Sequence, residues 1–349
     1  MSNAELKRLA YGILIPELPG LTLTGGVRKF LQDGGKAALL GETRAEYVAR
    51  GMSDERRSSE TADTVKNLIG ELADLVGTDL LVAMDQEVTG INRLHDMVSP
   101  VPSLDEVHRL DSADIVRLTR RLGEEMITLG VNMNFAPVLD VMTGPNGWLD
   151  GRHFGDDEKE VARIGSAFVT GMHGAGVVVT AKHFPGHRGC GHDPAVEVGT
   201  VSANVDGLER DLLPFRAVID AGVPAVMIGP TIIEAVDASL PSSRSATTIA
   251  LLRNELGFTG LIVTDDLNSA SNARGVSIPT AAVEALAAGA DLLLITGQTS
   301  AEGDLDAIAN AIVEAVNAGI VAPSRLLAAA TAVATAASRA AASRTQVGS

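Results

Sequence analysis

The chain predicts a TIM-like (β/α)8 barrel in a single domain spanning 1–349. Short apolar runs recur along its 349 residues with amphipathic segments between them, the alternation of a parallel sheet covered by helices. Several of these runs end in charged or titratable residues, and active sites sit at that edge of a barrel strand. No glycine-rich dinucleotide fingerprint or phosphate loop follows any run, which weakens the rival doubly wound open sheet. Periodicity alone does not register closure.

In chain order the expected strands are Tyr11–Ile15, Lys36–Leu40, Leu80–Met84 and Val131–Ala136, then Val177–Ala181, Ala225–Ile228, Leu261–Thr264 and Asp291–Ile295. Each is short, apolar and rich in β-branched or small residues. Between them, Glu60–Val76, Ser112–Leu129, Glu158–Gly174, Asn204–Ala221 and Thr247–Leu256 show helical amphipathicity. No linker or shift in composition divides the chain. The alanine-rich end, with Arg325, Arg339 and Arg344 interspersed, predicts a helix over about 324–345 packed on the barrel, then a frayed tail.

The formal charge of −16 argues against nucleic acid or an anionic membrane as partner. Aromatic residues make up only 3%, so any sugar cradle or stacking platform is sparse. Cys190 has no second cysteine to pair with, which fits a reducing compartment. The N-terminus shows no signal-peptide pattern, and the sequence shows no apolar span of about 18 residues. The expectation is a soluble, cytoplasmic protein without cofactor, its oligomeric state open.

The most informative segment is Lys182-His183-Phe184-Pro185-Gly186-His187, which follows an apolar run and contains a turn at Pro185-Gly186. Similar chemistry follows other runs: Asp85-Gln86-Glu87 with Arg93, Asn134 through Asp140 with Arg152-His153-Phe154-Gly155 beyond, and Asp265-Asp266. On a barrel, Asp85, Arg93, Arg152, Lys182, His183 and Asp265 converge on one small volume. Carboxylates with Arg or Lys hold vicinal hydroxyls, and a central carboxylate attacks an anomeric carbon or stabilises an oxocarbenium ion. Taken singly, each has a structural alternative: Asp85 ending a strand, Arg152 in a solvated ion pair, Asp265 capping a helix. The agreement of several strand ends favours a site.

These pieces, in this order, resemble glycoside hydrolase family 3, and within it the single-domain bacterial β-N-acetylhexosaminidases of cell-wall recycling. Gly257-Phe258-Thr259-Gly260 ahead of Asp265-Asp266-Leu267, and Ala287-Ala288-Gly289-Ala290-Asp291, extend the match. The resemblance implies a barrel, Asp265 as the nucleophile forming a glycosyl-enzyme intermediate, and sugar-binding roles for Asp85, Arg93, Arg152, Lys182 and His183. It implies a retaining glycosidase for a β-linked N-acetylglucosamine-type or related amino sugar, on a small carbohydrate or glycoconjugate.

The departures are specific. The family's strand-five loop carries an Asp-Ser-His triplet whose histidine is the acid/base. Here Asp193 keeps the aspartate position, but Pro194 and Ala195 follow it. Val88-Thr89-Gly90 replaces a double glycine after Gln-Glu, and Gly229-Pro230 stands where a histidine is frequent. His192 and Glu197 are the candidate replacement acids; Cys190 is a weaker nucleophile candidate than Asp265, and no zinc set is formed. Two alternatives stay open: an altered biosynthetic enzyme that transfers glycosyl groups or takes an activated glycoside, and a non-catalytic sugar-binding protein.

Overall fold

The structure is a computed structural model, and it describes residues 1–18, 20–144, 146–202, 204–297 and 304–347, with side chains to 343. Eight parallel strands form one sheet: β1 (Leu14–Leu18), β2 (Ala37–Leu40), β3 (Leu81–Met84), β4 (Met133–Asn134), β5 (Val178–Phe184), β6 (Ala225–Ile228), β7 (Leu261–Thr264) and β8 (Leu293–Ile295). Their spatial order is β8-β1-β2-β3-β4-β5-β6-β7. A parallel bridge between Val263 and Leu292 joins β7 to β8 and closes the ring.

Alternate residues explain why the strands are largely apolar. Ile15, Leu39, Leu81, Ala83, Met133, Phe135, Met227, Val263 and Leu294 fill the interior, while Leu14, Ala38, Val82, Val226 and Ile262 pack outward under the helices. A strand buried on both faces has no polar side to alternate with.

The helices start and stop where side chains satisfy their free backbone groups. Ser112–Leu129 begins at an Asp111 cap and ends at Gly130 in the left-handed region, burying Ile115, Thr119, Leu122, Met126 and Leu129. Glu158–Gly174 begins at Asp157, whose carboxylate accepts the Lys159 and Glu160 amides. The segment expected as a helix over Thr247–Leu256 is α-helical only at Ala246–Ala250 and then widens into a π turn over Leu251–Glu255.

Four strands differ from expectation by two residues or more, β8 by beginning at Leu293 rather than Asp291. Tyr11 closes a first helix, Asn3–Tyr11, started by a Ser2–Glu5 capping box, so β1 begins at Leu14. β4 contracts to Met133–Asn134 because the Asn132 side chain replaces ladder bonds, accepting the Val82 amide (2.7 Å) and donating to the Leu80 carbonyl (2.9 Å). β5 runs on through Lys182 and His183 to Phe184, so both residues are held by a strand before the turn at Gly186, whose φ of 111° suits glycine.

The C-terminal helix, Pro323–Val347, crosses the floor of the barrel. Val333, Ala337 and Ala340 join the interior cluster from below. By length and composition, Pro323–Ser343 is long and apolar enough to cross a membrane, contrary to the expectation of no such span. Its buried stripe packs against the strands, and Arg325 ties its start to Asp291. The expected frayed tail, as far as it falls on 348–349, lies outside the described residues.

Candidate active site

A cavity of about 390 Å³ opens at the carboxyl ends of the strands, lined by Glu17, Glu42, Asp85, Lys182, His183, Asp265 and Asp266, with Tyr47, Trp148 and Arg152 from the connections above. That volume suits one small ligand, within the roughly 300–1,000 Å³ of small-molecule sites.

Glu87, at the end of β3, anchors its cationic side. It accepts Arg152 Nη2 at 2.7 Å and the Ile91 amide at 2.9 Å, with Lys182 Nζ at 2.9 Å. Burial opposes its charge, but Arg152 and Lys182 outweigh burial and hold the Glu87 carboxyl well below the usual range. Lys182 also pairs with Asp85. Burial works against the ammonium, yet Asp85 and Glu87 raise its pKa and keep it charged. Gly90 makes room for this cluster, since a Cβ there would run into Glu87 and Arg152.

Asp140 anchors the histidine side. Its oxygens lie 2.7 Å from His183 Nδ1 and 2.9 Å from His187 Nδ1. Burial pushes the His183 pKa down to about 3, only partly offset by Asp140. His183 is therefore neutral, donates through Nδ1–H, and keeps the Nε2 lone pair 3.9 Å from Asp265 Oδ2. Asp140, His183 and His187 are the group whose ligand atoms could converge on a metal ion. With each carboxylate oxygen engaged by an imidazole, the set reads as a brace. Gly229 completes it: a Cβ there would strike the His187 ring, so the missing side chain just past β6 makes space for His187.

Asp265 ends β7. Burial is the main cause of its raised pKa, about 6, and the neighbouring Asp266 adds to it, while the Asp266 amide (2.6 Å) favours the charged form. Asp266 turns away to take the Thr296 hydroxyl (2.7 Å) and the Asn268 amide (2.9 Å), tying β7 to β8.

Of the residues singled out in the sequence, Asp85, Arg152, Lys182, His183 and Asp265 meet in this cavity. Arg93 does not line it. It is fully buried behind β2 and β3, donating to Glu60 (2.6 Å) and the Gly41 carbonyl (2.7 Å), and so positions the end of β2. His192 and Glu197 are also outside the lining. Each is 62% exposed, and they face each other at 3.3 Å. Asp193 pairs with Arg44 at the rim and accepts the Ala195 amide at 3.0 Å. Only Pro194, Ala195 and Val196 of that loop line the cavity. The Cys190 thiol is buried, and burial pushes its pKa up, which removes it as a nucleophile.

The sequence reading missed Tyr47, Trp148, Glu17 and Glu42. Glu17 and Glu42 lie at the ends of β1 and just past β2, a placement that could have flagged them. Tyr47 sits on the short helix Arg44–Ala49, and nothing in its local pattern marks it.

The profile of the glycosyl hydrolase family 3 N terminal domain matches residues 33–336. The Beta-hexosaminidase of Nitrosomonas eutropha is 32% identical over 257 residues, 71% of this chain and 74% of that protein. The Beta-hexosaminidase of Xylella fastidiosa strain 9a5c is 34% identical over 264 residues, 73% of this chain and 78% of that protein. Among solved structures, a glycoside hydrolase family 3 β-N-acetylglucosaminidase from a Paenibacillus species superposes with a TM-score of 0.86 at 30% identity, covering 96% of this chain but 62% of that longer one. The β-N-acetylhexosaminidase of Beutenbergia cavernae superposes at 0.84 with 26% identity, covering 95% and 98%. Barrel, strand-end carboxylate and sequence all agree: the chain belongs to glycosyl hydrolase family 3.

Proposed function

We propose that the protein is a retaining exo-glycosidase that removes a terminal β-linked N-acetylglucosamine-type sugar from a small carbohydrate or glycoconjugate, with Asp265 as nucleophile. The observation that carries this is the half-buried Asp265 carboxylate, which has no cation bonded to it and faces a row of hydroxyl-binding groups. Lys182, Asp85 and Arg152 offer donors and an acceptor fixed by Glu87, and His183 Nε2 offers an acceptor beside Asp265. A sugar held by this row presents its anomeric carbon to Asp265. Bond formation between C1 and the carboxylate oxygen displaces the aglycone, and water then releases the sugar with net retention. The names of the related Beta-hexosaminidases support an amino sugar as the substrate, and those of the similar solved β-N-acetylglucosaminidase and β-N-acetylhexosaminidase support its N-acetylation. The lone cysteine supports residence in a reducing compartment, and we extend the proposal to a cytoplasmic location.

The test is a 4-nitrophenyl N-acetyl-β-glucosaminide assay followed by inactivation with a 5-fluoro glycosyl fluoride. Mass spectrometry should find the adduct on Asp265. Turnover without any adduct, or an adduct on another residue, would sink the assignment.

A further inference from the structure

Retaining hydrolysis of an ordinary glycoside needs a group that gives a proton to the departing oxygen and recovers one from water. No side chain of the strand-five loop that lines the cavity carries a proton to give: those residues are Pro194, Ala195 and Val196. His183 holds its proton on the Asp140 side, and the Lys182 ammonium is engaged by Asp85 and Glu87.

Tyr47 meets the requirement by geometry. Its phenol oxygen accepts two hydrogen bonds, from Arg152 Nη1 at 2.6 Å and from Trp148 Nε1 at 2.6 Å. A hydroxyl has two acceptor positions and one proton. With both acceptor positions filled, Tyr47 is left as a donor only, and no acceptor among the described residues takes its hydrogen. The residue lines the same cavity as Asp265, and Trp148 stacks on His183 with ring centroids 4.6 Å apart, which ties the phenol to the nucleophile's neighbour. Three guanidiniums surround the ring, Arg44 at 5.1 Å, Arg50 at 5.0 Å and Arg152 at 5.1 Å from its centre. Such fixed positive charge and the Trp148 N–H favour the phenolate that forms when the proton leaves.

We propose that Tyr47 is the acid/base of this enzyme, protonating the glycosidic oxygen in the first step and deprotonating water in the second; this rests on the glycosidase reading above. In the first step the C1–O bond to the aglycone breaks as the C1–Asp265 bond forms, and the Tyr47 proton passes to the leaving oxygen. In the second, water attacks C1, its proton returns to the Tyr47 phenolate, and the bond to Asp265 breaks. Burial raises the phenol pKa while Arg152 lowers it, so the group stays protonated at neutral pH until substrate draws on it. Glu42 also lines the cavity, and burial with the Asp85 charge pushes its carboxyl up to about 8, so it serves as the comparison in the experiment.

The experiment compares wild type, Tyr47→Phe and Glu42→Gln on aryl N-acetyl-β-glucosaminides of graded leaving-group pKa and on the disaccharide. Phenylalanine keeps the ring and its cationic neighbours. Tyr47→Phe should lose about 10²–10⁴-fold in kcat/KM on the disaccharide, lose less than about tenfold in kcat/KM on the dinitrophenyl glycoside while its turnover falls at the second step, and steepen the dependence of kcat/KM on leaving-group pKa. Azide should restore its turnover of the dinitrophenyl substrate as the glycosyl azide. The chain has two tyrosines, so the ultraviolet titration of wild type minus Tyr47→Phe isolates the Tyr47 phenol, and the alkaline limb of kcat/KM should coincide with it. Replacing tyrosine by 3-fluorotyrosine should move that limb to lower pH. A loss equal for every substrate, an unmoved alkaline limb, or the leaving-group signature in Glu42→Gln instead overturns the proposal. A wild type that turns over no member of the series overturns the glycosidase reading and this proposal with it.

Discussion

His183 Nε2 stands 3.9 Å from Asp265 Oδ2 without forming an ion pair with it, because the imidazole is neutral. A cationic histidine there would neutralise the carboxylate and hold it against attack. Asp140 prevents this by fixing the only proton on Nδ1, at 2.7 Å. The nucleophile therefore sits half-buried in the cavity with no cation bonded to it, and the positive charge it is suited to meet is the one that develops on the sugar.

Catalysis should follow the ionisation of Asp265. With its pKa raised to about 6, kcat/KM should rise with pH through that value and fall away below it. Asp265→Asn should reduce turnover by at least about 10³-fold, since an amide is a poor nucleophile. The same shift predicts the sign of a stability change. A raised carboxyl favours the fold below its ordinary pKa and loses that advantage as pH rises through about 6. Asp265→Asn should melt higher than wild type near pH 7.5, by about 1–2 kcal/mol, and match it near pH 4. Equal melting at both values would show that the carboxylate is not strained by burial.

Glu87 holds two buried cations, so its removal should cost far more than a surface ion pair. Glu87→Gln leaves Lys182 and Arg152 buried with one partner fewer each, which should destabilise by about 3–5 kcal/mol. Urea denaturation monitored by Trp148 fluorescence measures this, and a loss below about 1 kcal/mol would assign Glu87 the weight of a solvated pair.

The barrel was legible because β2, β3 and β6 are uninterrupted apolar runs and β7 is nearly so, and all four end where the runs end. β1 was displaced because Tyr11 is as apolar as a strand residue and its neighbours in Asn3–Tyr11 did not reveal a helix. Within the site, Asp265 and the Lys182–His183 pair were visible from their place at strand ends. Arg93 looked like a ligand because its motif neighbours are ligands, yet only the fold shows Glu60 and Gly41 taking its hydrogens. His192 and Glu197 have suitable chemistry, but their position depends on a loop whose course no local pattern fixes. Tyr47 escaped notice for the opposite reason: its surroundings come from Trp148 and Arg152, distant in sequence.

Gly229 is a packing requirement of the histidine brace. A Cβ at that position would collide with the His187 ring and come close to His183, so Gly229→Ala should push His187 off Asp140. The expected result is a loss of about 1–3 kcal/mol in stability, with a fall in kcat as His183 loses its fixed orientation. Histidine NMR provides the check, because the shared Asp140 acceptor gives His183 and His187 slowly exchanging Nδ1 protons. Both signals persisting unshifted in Gly229→Ala would show that the brace tolerates the added methyl.

Glu42 should make stability fall with rising pH. Burial and the nearby Asp85 charge push its carboxyl up to about 8, and Oε2 is buried without a hydrogen-bond partner. The unfolded chain ionises near the ordinary value of 4.5, so the fold gains from the neutral acid below that pH and loses the gain between there and about pH 8. Glutamine has no charge to desolvate. Glu42→Gln should therefore equal wild type near pH 4 and exceed it near pH 8.5 by about 1–3 kcal/mol. Denaturant titrations of both proteins at the two pH values measure the difference directly. A variant less stable than wild type at pH 8.5 would mean that the Glu42 carboxylate is stabilised by Arg93 and Lys182 more strongly than burial opposes it.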